Sequence, residues 1–203
     1  MITNSVQRLL HADPRAVGVL ARAFWDDPLA QYITPRVPQR RRLVSLFDIV
    51  LRYGLLFGEV YCTPGIRGIA IGIPPRNFRI NIGRILHVGL WRLPLSVGLP
   101  PLVRLMRSLI EMEHLHTRNV GPDHWYLFYL AVDPPYQKRG LGAALIQPIL
   151  DRAAQEGLAC YLETTNPRNV PFYQRCGFKI IDDIQLQGGV PCKTMRRDPE
   201  RNT

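Results

Sequence analysis

The sequence predicts an α/β (α+β) fold, in which a mixed central sheet of about 6–7 strands has helices on both faces. The apolar run WYLFYLAV at 125–132 is typical of a strand that is buried on both faces. A loop, an alanine-rich helix over 142–155 and a second apolar run, LACYLET at 158–164, follow it. Because a strand–helix–strand connection is right-handed and joins parallel strands, these two strands are predicted to be parallel neighbours.

The residues before 78 predict helices and one hairpin. Asp13 is expected to cap a first helix with Pro14 at its start, and Pro28 is expected to end that segment. Apolar residues at helical spacing predict a second helix, and the Pro-Gly turn at 64–65 joins two short strands. The predicted ranges are 14–25 and 40–57 for the helices, and 60–63 and 68–73 for the strands.

Residues 78–118 are apolar and rich in arginine, and Pro94, Pro100 and Pro101 interrupt them. Since proline inside a helix removes a hydrogen bond, this segment predicts two or three short helices. Packing of these helices around a pocket is the favoured interpretation. An amphipathic helix on a membrane surface, within 79–107, is the alternative.

The last part of the chain predicts a short helix and a hairpin. Residues 170–175 form a helix that Gly177 ends, and the glycines at 188–189 turn two strands, FKIIDDIQL and CKTMRR. Pro148 lies inside the helix over 142–155 and predicts a kink there. We expect one domain over 1–197 and a flexible tail over 198–203.

Composition limits the classes of partner. With 26 Lys and Arg against 16 Asp and Glu, the net charge is +10, which suits an anionic partner such as a phosphorylated cofactor. The arginines at 40–42 have no interleaved aromatic residues, so nucleic acid is not expected. Four cysteines without a CxxC pair predict reduced thiols in a cytoplasmic protein. No signal peptide and no membrane span are expected.

The loop QKRGLG at 137–142 lies at the start of a helix and predicts a seat for a pyrophosphate. Its backbone N–H groups gather at a helix N-terminus, which carries a partial positive charge. Gly140 and Gly142 allow the main chain to approach the phosphates, and Lys138 and Arg139 add charge. A loop whose glycines serve only for turning is the alternative. A dinucleotide-binding turn is disfavoured, because the glycines follow the strand by seven residues.

The QKRGLG loop, the preceding strand YLAV and the later NVPFYQRCGF together resemble the GNAT superfamily of acetyl-coenzyme A-dependent N-acetyltransferases. The resemblance covers about 124–195, and within the superfamily the sequence is similar to the puromycin N-acetyltransferases and their bacterial relatives. It implies the GNAT fold, with a splayed parallel strand pair and a cofactor-binding core over 124–195. Helices over 14–57 and 78–118 are then expected on the acceptor side. The implied reaction is direct transfer of acetyl from acetyl-CoA to an amine of a small-molecule acceptor.

The resemblance also implies site residues. Tyr173 is the expected general acid, Glu163 is the first choice for the base, and His116 is a second choice. The residues expected to bind acetyl-CoA are Leu130, Ala131, Val132, Gln137, Lys138, Arg139, Gly140, Leu141, Gly142, Ala143, Asn169 and Tyr173. The residues expected on the acceptor side are Phe24, Asp26, Asp27, Tyr32 and His124.

Structural interpretations of these residues stay open. Tyr173 fits a buried aromatic, Asn169 fits a helix cap, and Glu163 fits an acid that backbone donors satisfy. The pair at 114 and 116 lacks the Cys or carboxylate partners of a metal site. Two other functions compete with catalysis: an acyl-CoA-binding sensor without turnover, and a peripheral membrane-associated acyltransferase. A homodimer is also considered.

Overall fold

The structure is a computed structural model and describes residues 5–35, 39–77 and 82–199. Its strands are β1 (Gln7–Arg8), β2 (Glu59–Cys62), β3 (Gly68–Ile73), β4 (His124–Val132), β5 (Ala159–Thr164), β6 (Lys179–Leu186) and β7 (Val190–Arg197). Its helices are α1 (Pro14–Ala23), α2 (Pro28–Ile33), α3 (Gln39–Phe57), α4 (Ile82–His87), α5 (Leu93–Val97), α6 (Leu99–Asn119), α7 (Leu141–Gln155) and α8 (Val170–Arg175).

The strands form one mixed sheet in the order β1-β2-β3-β4-β5-β7-β6. The pair β4–β5 is parallel, and the other described neighbours are antiparallel. The predicted mixed sheet with one parallel pair is therefore confirmed. The short strand β1, whose Gln7 pairs with Cys62, has no counterpart in the sequence-based prediction.

The parallel pair splays apart as predicted. Its register joins His124 to Ala159 and ends where Tyr126 meets Tyr161, although β4 continues to Val132. On its other edge, β4 stays paired with β3 up to Val132. The gap between the strands therefore opens toward the loop that leads into α7.

Helices cover both faces of the sheet. Alternate residues of each strand point to opposite faces and so pack in different cores. Ile69 and Ile71 belong to the core that includes α1 and α3, whereas Ala70 packs in the core with α7. At Gly72, an added Cβ would lie 2.9 Å from Ile149 of α7, so the helix sits directly on the strand there.

The proline-based predictions are partly wrong. The described part of 78–118 contains the short helices α4 and α5, as predicted, but its third helix, α6, is 21 residues long rather than short. Pro100 and Pro101 lie in its first turn, where a helix needs no N–H donor, so they begin the helix instead of breaking it. Pro28 likewise begins α2. Pro148 lies inside α7, and the kink there stays a prediction.

The predictions for the cysteines, the C-terminal tail and membrane contact have different outcomes. All four cysteines are free, and Cys62, Cys160 and Cys192 are buried. Residues 200–203 of the expected tail lie outside the described residues, as do residues 79–81 of the segment considered for membrane contact. Within the described ranges, none of the helices has the length and apolar character needed to cross a bilayer. One domain over 1–197 remains a prediction.

Candidate active site

A cavity of about 200 Å³ lies between the sheet and the helices that cover one of its faces. Its wall is largely apolar and aromatic, with contributions from Phe24 directly after α1, Leu46 of α3, Leu109 of α6 and Tyr129 of β4. Side chains from α5, α8 and β5 complete the wall. The cavity therefore adjoins the gap between the splayed strands.

Glu163 carries the buried carboxylate of this cavity. It lies near the end of β5, with its side chain only 1% exposed, and its Oε2 accepts a 2.6 Å hydrogen bond from the Tyr126 hydroxyl. Burial raises the pKa of Glu163 from 4.5 to about 7. Its Oε1 is buried and accepts no hydrogen bond within the described residues. This carboxyl can therefore gain or lose a proton near neutral pH.

His116 lies beside Glu163 and is linked to a second histidine. Its Nδ1 is 3.7 Å from Glu163 Oε1, and its Nε2 is 2.6 Å from His124 Nε2. His124 Nδ1 lies 2.6 Å from the Gly121 carbonyl oxygen. Burial lowers the pKa of His116 to about 3, so its imidazole is neutral.

The hydrogen bonds assign the tautomers of both rings. Because a carbonyl oxygen only accepts, His124 carries its proton on Nδ1 and accepts at Nε2. His116 must then donate from Nε2, which leaves a lone pair on the Nδ1 that faces Glu163. The His116 Nδ1 is therefore oriented as a hydrogen-bond acceptor toward the Glu163 carboxyl and not as a donor.

Tyr173 and Asn169 reach the same cavity from the other side of the gap. Tyr173 is 8% exposed and packs edge-on against Phe172 and Phe178. Burial raises the pKa of Tyr173, so its phenol stays protonated at neutral pH. Asn169 occupies the N-cap position of α8, but its side chain makes no cap hydrogen bond there.

The edge of β4 that faces the gap offers unpaired main-chain groups. Asp133 N donates to Arg67 O, and successive residues of an antiparallel strand point their N–H and C=O groups to opposite edges. Ala131 therefore bonds toward β3, whereas the main-chain groups of Leu130 and Val132 face the gap. The Val132 carbonyl accepts a 3.0 Å hydrogen bond from the Gln137 side chain.

The glycine loop has the backbone geometry of an anion-binding turn. Lys138 and Gly140 have left-handed φ angles of 60° and 81°, and α7 begins directly afterwards. Left-handed residues in such a turn make neighbouring N–H groups converge at the helix start. An added Cβ at Gly142 would lie 3.2 Å from the Phe172 ring, so α7 and α8 approach closely there. Lys138, Arg139 and Ala143 are exposed around this turn.

The predicted acceptor residues are only partly brought together. Phe24 and Asp27 line the cavity, but the Asp27 carboxylate caps α2 and accepts from the Thr165 hydroxyl at 3.1 Å. Asp26 is exposed and lies outside the lining. Tyr32 and His124 also lie outside it. Tyr32 packs over Gly188, where an added Cβ would be 2.3 Å from its ring.

Five cavity residues of α6 are missing from the sequence-based set of candidates: Leu105, Ser108, Leu109, Met112 and Glu113. They share one face with His116, because residues three and four apart align on a helix. This spacing is visible in the sequence, but it identifies a single face only if the segment forms one continuous helix.

Within the described part of the chain, no group of three or more His, Cys, Asp and Glu side chains is placed to hold a metal ion. A splayed parallel pair with an anion-binding turn at one end and a buried carboxylate at the other suits transfer of a group from a phosphate-bearing donor to an acceptor.

Known proteins are similar to this chain in sequence and in architecture. A model of the Acetyltransferase (GNAT) family matches residues 105–178. An uncharacterized N-acetyltransferase of Schizosaccharomyces pombe is 31% identical over 196 residues, which cover 92% of this chain and 79% of that protein. The ribosomal protein bS18-alanine N-acetyltransferase of Escherichia coli is 39% identical over 59 residues, which cover 28% of this chain and 40% of that protein.

A solved structure has the same fold over nearly the whole chain. It is described as histone acetyltransferase HPA2 and related acetyltransferase from Corynebacterium glutamicum. It aligns with a TM-score of 0.67 and 24% identity, over 98% of each chain.

The protein belongs to the GNAT family of N-acetyltransferases and is an acetyltransferase enzyme. The family resemblance found in the sequence is thus confirmed. The similarity to the puromycin enzymes stays a prediction.

Proposed function

We propose that this enzyme transfers acetyl from acetyl-CoA directly to an amine of a small-molecule acceptor, with Glu163 as general base and Tyr173 as general acid. The observation that carries the proposal is the buried Glu163 carboxyl, which lines the same cavity as the Tyr173 side chain. Its pKa is about 7. A base whose pKa is near the working pH is the most effective proton acceptor.

The groups along the gap fit acetyl-CoA. When bound, this cofactor supplies an acetyl group that is activated as a thioester. The main-chain groups of Leu130 and Val132 face the gap and suit a pantetheine arm laid along β4, whereas the main-chain groups of Ala131 pair with β3. The Gln137 side chain holds the Val132 carbonyl and so shapes this edge.

The turn before α7 suits the diphosphate of the cofactor. Its N–H groups converge beside the positive end of α7, and Lys138 and Arg139 add positive charge. Leu141 and Ala143 present their backbone N–H groups in the first turn of α7, where a helix makes no internal use of them. Asn169, with its side chain free of α8, can contact the arm from the opposite wall.

Two buried groups manage the protons. Glu163 takes a proton from the acceptor amine, and its carboxyl faces the lone pair on His116 Nδ1. Tyr173 stays a protonated phenol, so its O–H is available to the sulfur of the leaving thiolate as the C–S bond breaks. His116, whose pKa is about 3, acts through Glu163 as a positioning residue and not as the base.

A small molecule is favoured over a protein terminus because the cavity lies between the sheet and the helices, with an apolar wall. Phe24 contributes to that wall. Asp27 keeps α2 in place, since its carboxylate is occupied by the cap and by Thr165. We keep a cytoplasmic location as part of the proposal, supported by the four free cysteines.

The test is a thiol-release assay with the purified protein, acetyl-CoA and a panel of amines. We expect amine-dependent release of coenzyme A. Binding of acetyl-CoA without release for any amine would instead favour the acyl-CoA sensor.

Peripheral membrane association remains a second candidate, because α5 and its flanks expose apolar side chains. Trp91 is 60% exposed, Leu95 90% and Leu99 67%. Together with the net charge of +10, this surface suits an anionic lipid bilayer. Co-sedimentation with liposomes that depends on anionic lipid is expected if the candidate is correct, and binding that ignores lipid charge would exclude it. A homodimer also stays a prediction, to be measured by sedimentation.

A further inference from the structure

We infer that the acceptor is a primary amine carried on an aromatic or apolar aliphatic body, and not a polyamine or a peptide terminus. The inference rests on the proposed function, because it assigns the cavity beside Glu163 to the acceptor. It concerns the class of substrate, which the family membership leaves open.

The wall of the cavity indicates the apolar body. One face of α6 presents Leu105, Leu109 and Met112 to the cavity, at the spacing of successive helical turns. Opposite them, Phe47 of α3 stacks edge-on with Tyr129 of β4, with their ring centroids 5.7 Å apart. Removing an apolar body from water against such walls stabilises the complex by about 25 cal/mol for each Å² that is buried.

Two buried polar atoms show that this space suits a ligand. Glu163 and Ser108 are lining residues of the cavity, and their buried atoms Oε1 and Oγ make no hydrogen bond within the described residues. Ser108 is 1% exposed. Buried polar atoms in folded proteins are nearly always bonded, so their pairing is expected from a bound molecule or water.

These two atoms also set the orientation of the acceptor. Ser108 precedes His116 by eight residues on α6, which corresponds to about 12 Å along the helix axis. The amine belongs at the His116 and Glu163 end, where the base lies. The body then extends toward Ser108, past Leu109 and Met112, and one polar substituent is accepted near that hydroxyl.

The same wall disfavours highly polar acceptors. A polyamine would place further ammonium groups beside Leu109 and Met112, and an unpaired buried charge is costly. Glu113 is one acidic residue of the lining, and the Asp27 carboxylate is already bonded to α2 and Thr165. A peptide would bring an N–H and a C=O group for each residue into a wall with few partners for them.

The experiment compares kcat/KM for coenzyme A release across defined probes. The apolar series is ethylamine, butylamine, hexylamine, 2-phenylethylamine and tryptamine. The polar probes are spermidine, lysine and an alanine-initiated tripeptide. We expect kcat/KM to rise about fourfold for each methylene group added from ethylamine to hexylamine. The aromatic amines are expected to exceed every polar probe by at least tenfold.

The outcomes separate this inference from the proposed function. Release with the polar probes at rates equal to or above those of the aromatic amines would overturn the inference and leave acetyl transfer standing. No release with any amine would refute acetyl transfer itself. A flat response along the alkyl series would also overturn the inference.

A pair of neighbouring variants ties the result to the cavity. Leu109→Trp fills the space along α6, whereas the matched control Ile110→Trp adds the same bulk at an adjacent position that is 58% exposed and outside the lining. We expect Leu109→Trp to lower kcat/KM for tryptamine at least tenfold more than for ethylamine. The control should change neither value, and an equal loss for both amines in Leu109→Trp would contradict the assignment.

A second variant guards against misfolding of the first. Met112→Ala enlarges the same wall and removes no polar group. It should raise the ratio of kcat/KM for tryptamine over that for butylamine, because the added space accepts the larger ring system. An unchanged ratio in this variant would overturn the assignment of the α6 face to the acceptor.

Discussion

Replacing Glu163 with Gln tests the proposed base through both stability and rate. The amide keeps the shape of the side chain and an oxygen that can accept from the Tyr126 hydroxyl. In the native protein, burial raises the pKa of Glu163 from 4.5 to about 7. Because the folded value lies above the unfolded one, the resulting stabilisation is complete below about pH 4.5. It is lost as the pH rises through about 7.

The size of this effect follows from the two pKa values. Each pKa unit corresponds to about 1.4 kcal/mol. Glu163 alone should therefore lower the free energy of unfolding by roughly 2 to 3 kcal/mol between about pH 5 and about pH 8. The other titratable groups, including the buried Asp27 whose pKa is raised by burial, are common to both proteins and cancel in the comparison.

Urea unfolding at both pH values measures the difference in the free energy of unfolding between Glu163→Gln and the native protein. We expect the free energy of unfolding of the variant, relative to that of the native protein, to increase by roughly 2 to 3 kcal/mol as the pH rises from about 5 to about 8. In kinetics, kcat/KM of the native enzyme should rise with pH through about 7. The variant should lose that rise together with about 10²- to 10⁴-fold of its rate.

Two results would refute the reasoning. A free-energy difference that is the same at both pH values would show that the carboxyl of Glu163 titrates at its ordinary pKa. A rise in kcat/KM near pH 7 that persists in the variant would remove Glu163 from the proton transfer. Either result leaves the family membership of the chain untouched.

Three further predictions concern the cofactor seat and the other proton-handling groups. Gly142→Asp should abolish the thermal protection given by acetyl-CoA. Gly142→Ala places a Cβ against the same Phe172 ring but adds no charge, so it should keep part of the protection. Equal loss in both variants would show that crowding and not charge is responsible. Tyr173→Phe keeps the packing on Phe178 and should lower kcat at least tenfold with little change in acetyl-CoA affinity, and an unchanged kcat would exclude Tyr173 as the acid. His116→Gln should slow turnover but keep the rise of kcat/KM near pH 7, because the pKa of about 3 places the titration of His116 elsewhere; loss of that rise would point to His116 as the base.

Prolines show where local signals in the sequence were ambiguous. A proline is compatible both with the end of one helix and with the first turn of the next. Pro28, Pro100 and Pro101 are compatible with interruptions, yet the structure has each of them at a helix start. Local sequence does not decide between these alternatives, because the outcome depends on whether the following residues can pack against another part of the protein. The apolar face of α6 lines the cavity and packs against neighbouring helices.

Single acidic residues were ambiguous for a similar reason. Asp26 and Asp27 are adjacent in sequence, but Asp26 faces solvent and Asp27 is buried as the cap of α2. The link from Glu163 through His116 to His124 joins β5, α6 and β4. No spacing within one segment could have predicted it, since the three residues meet only when the helix packs across the parallel strands.

The sequence by itself determined the mixed sheet, the parallel pair, the turn before α7 and the membership of the family. These features depend on contiguous patterns: apolar runs, glycines that permit left-handed backbone, and a helix that starts directly after them. Only the tertiary structure decided which polar groups share a cavity and what that cavity accepts. Burial and hydrogen bonding between distant segments set the pKa of Glu163, orient the histidines and build the apolar wall, and such effects arise only when the segments are packed together.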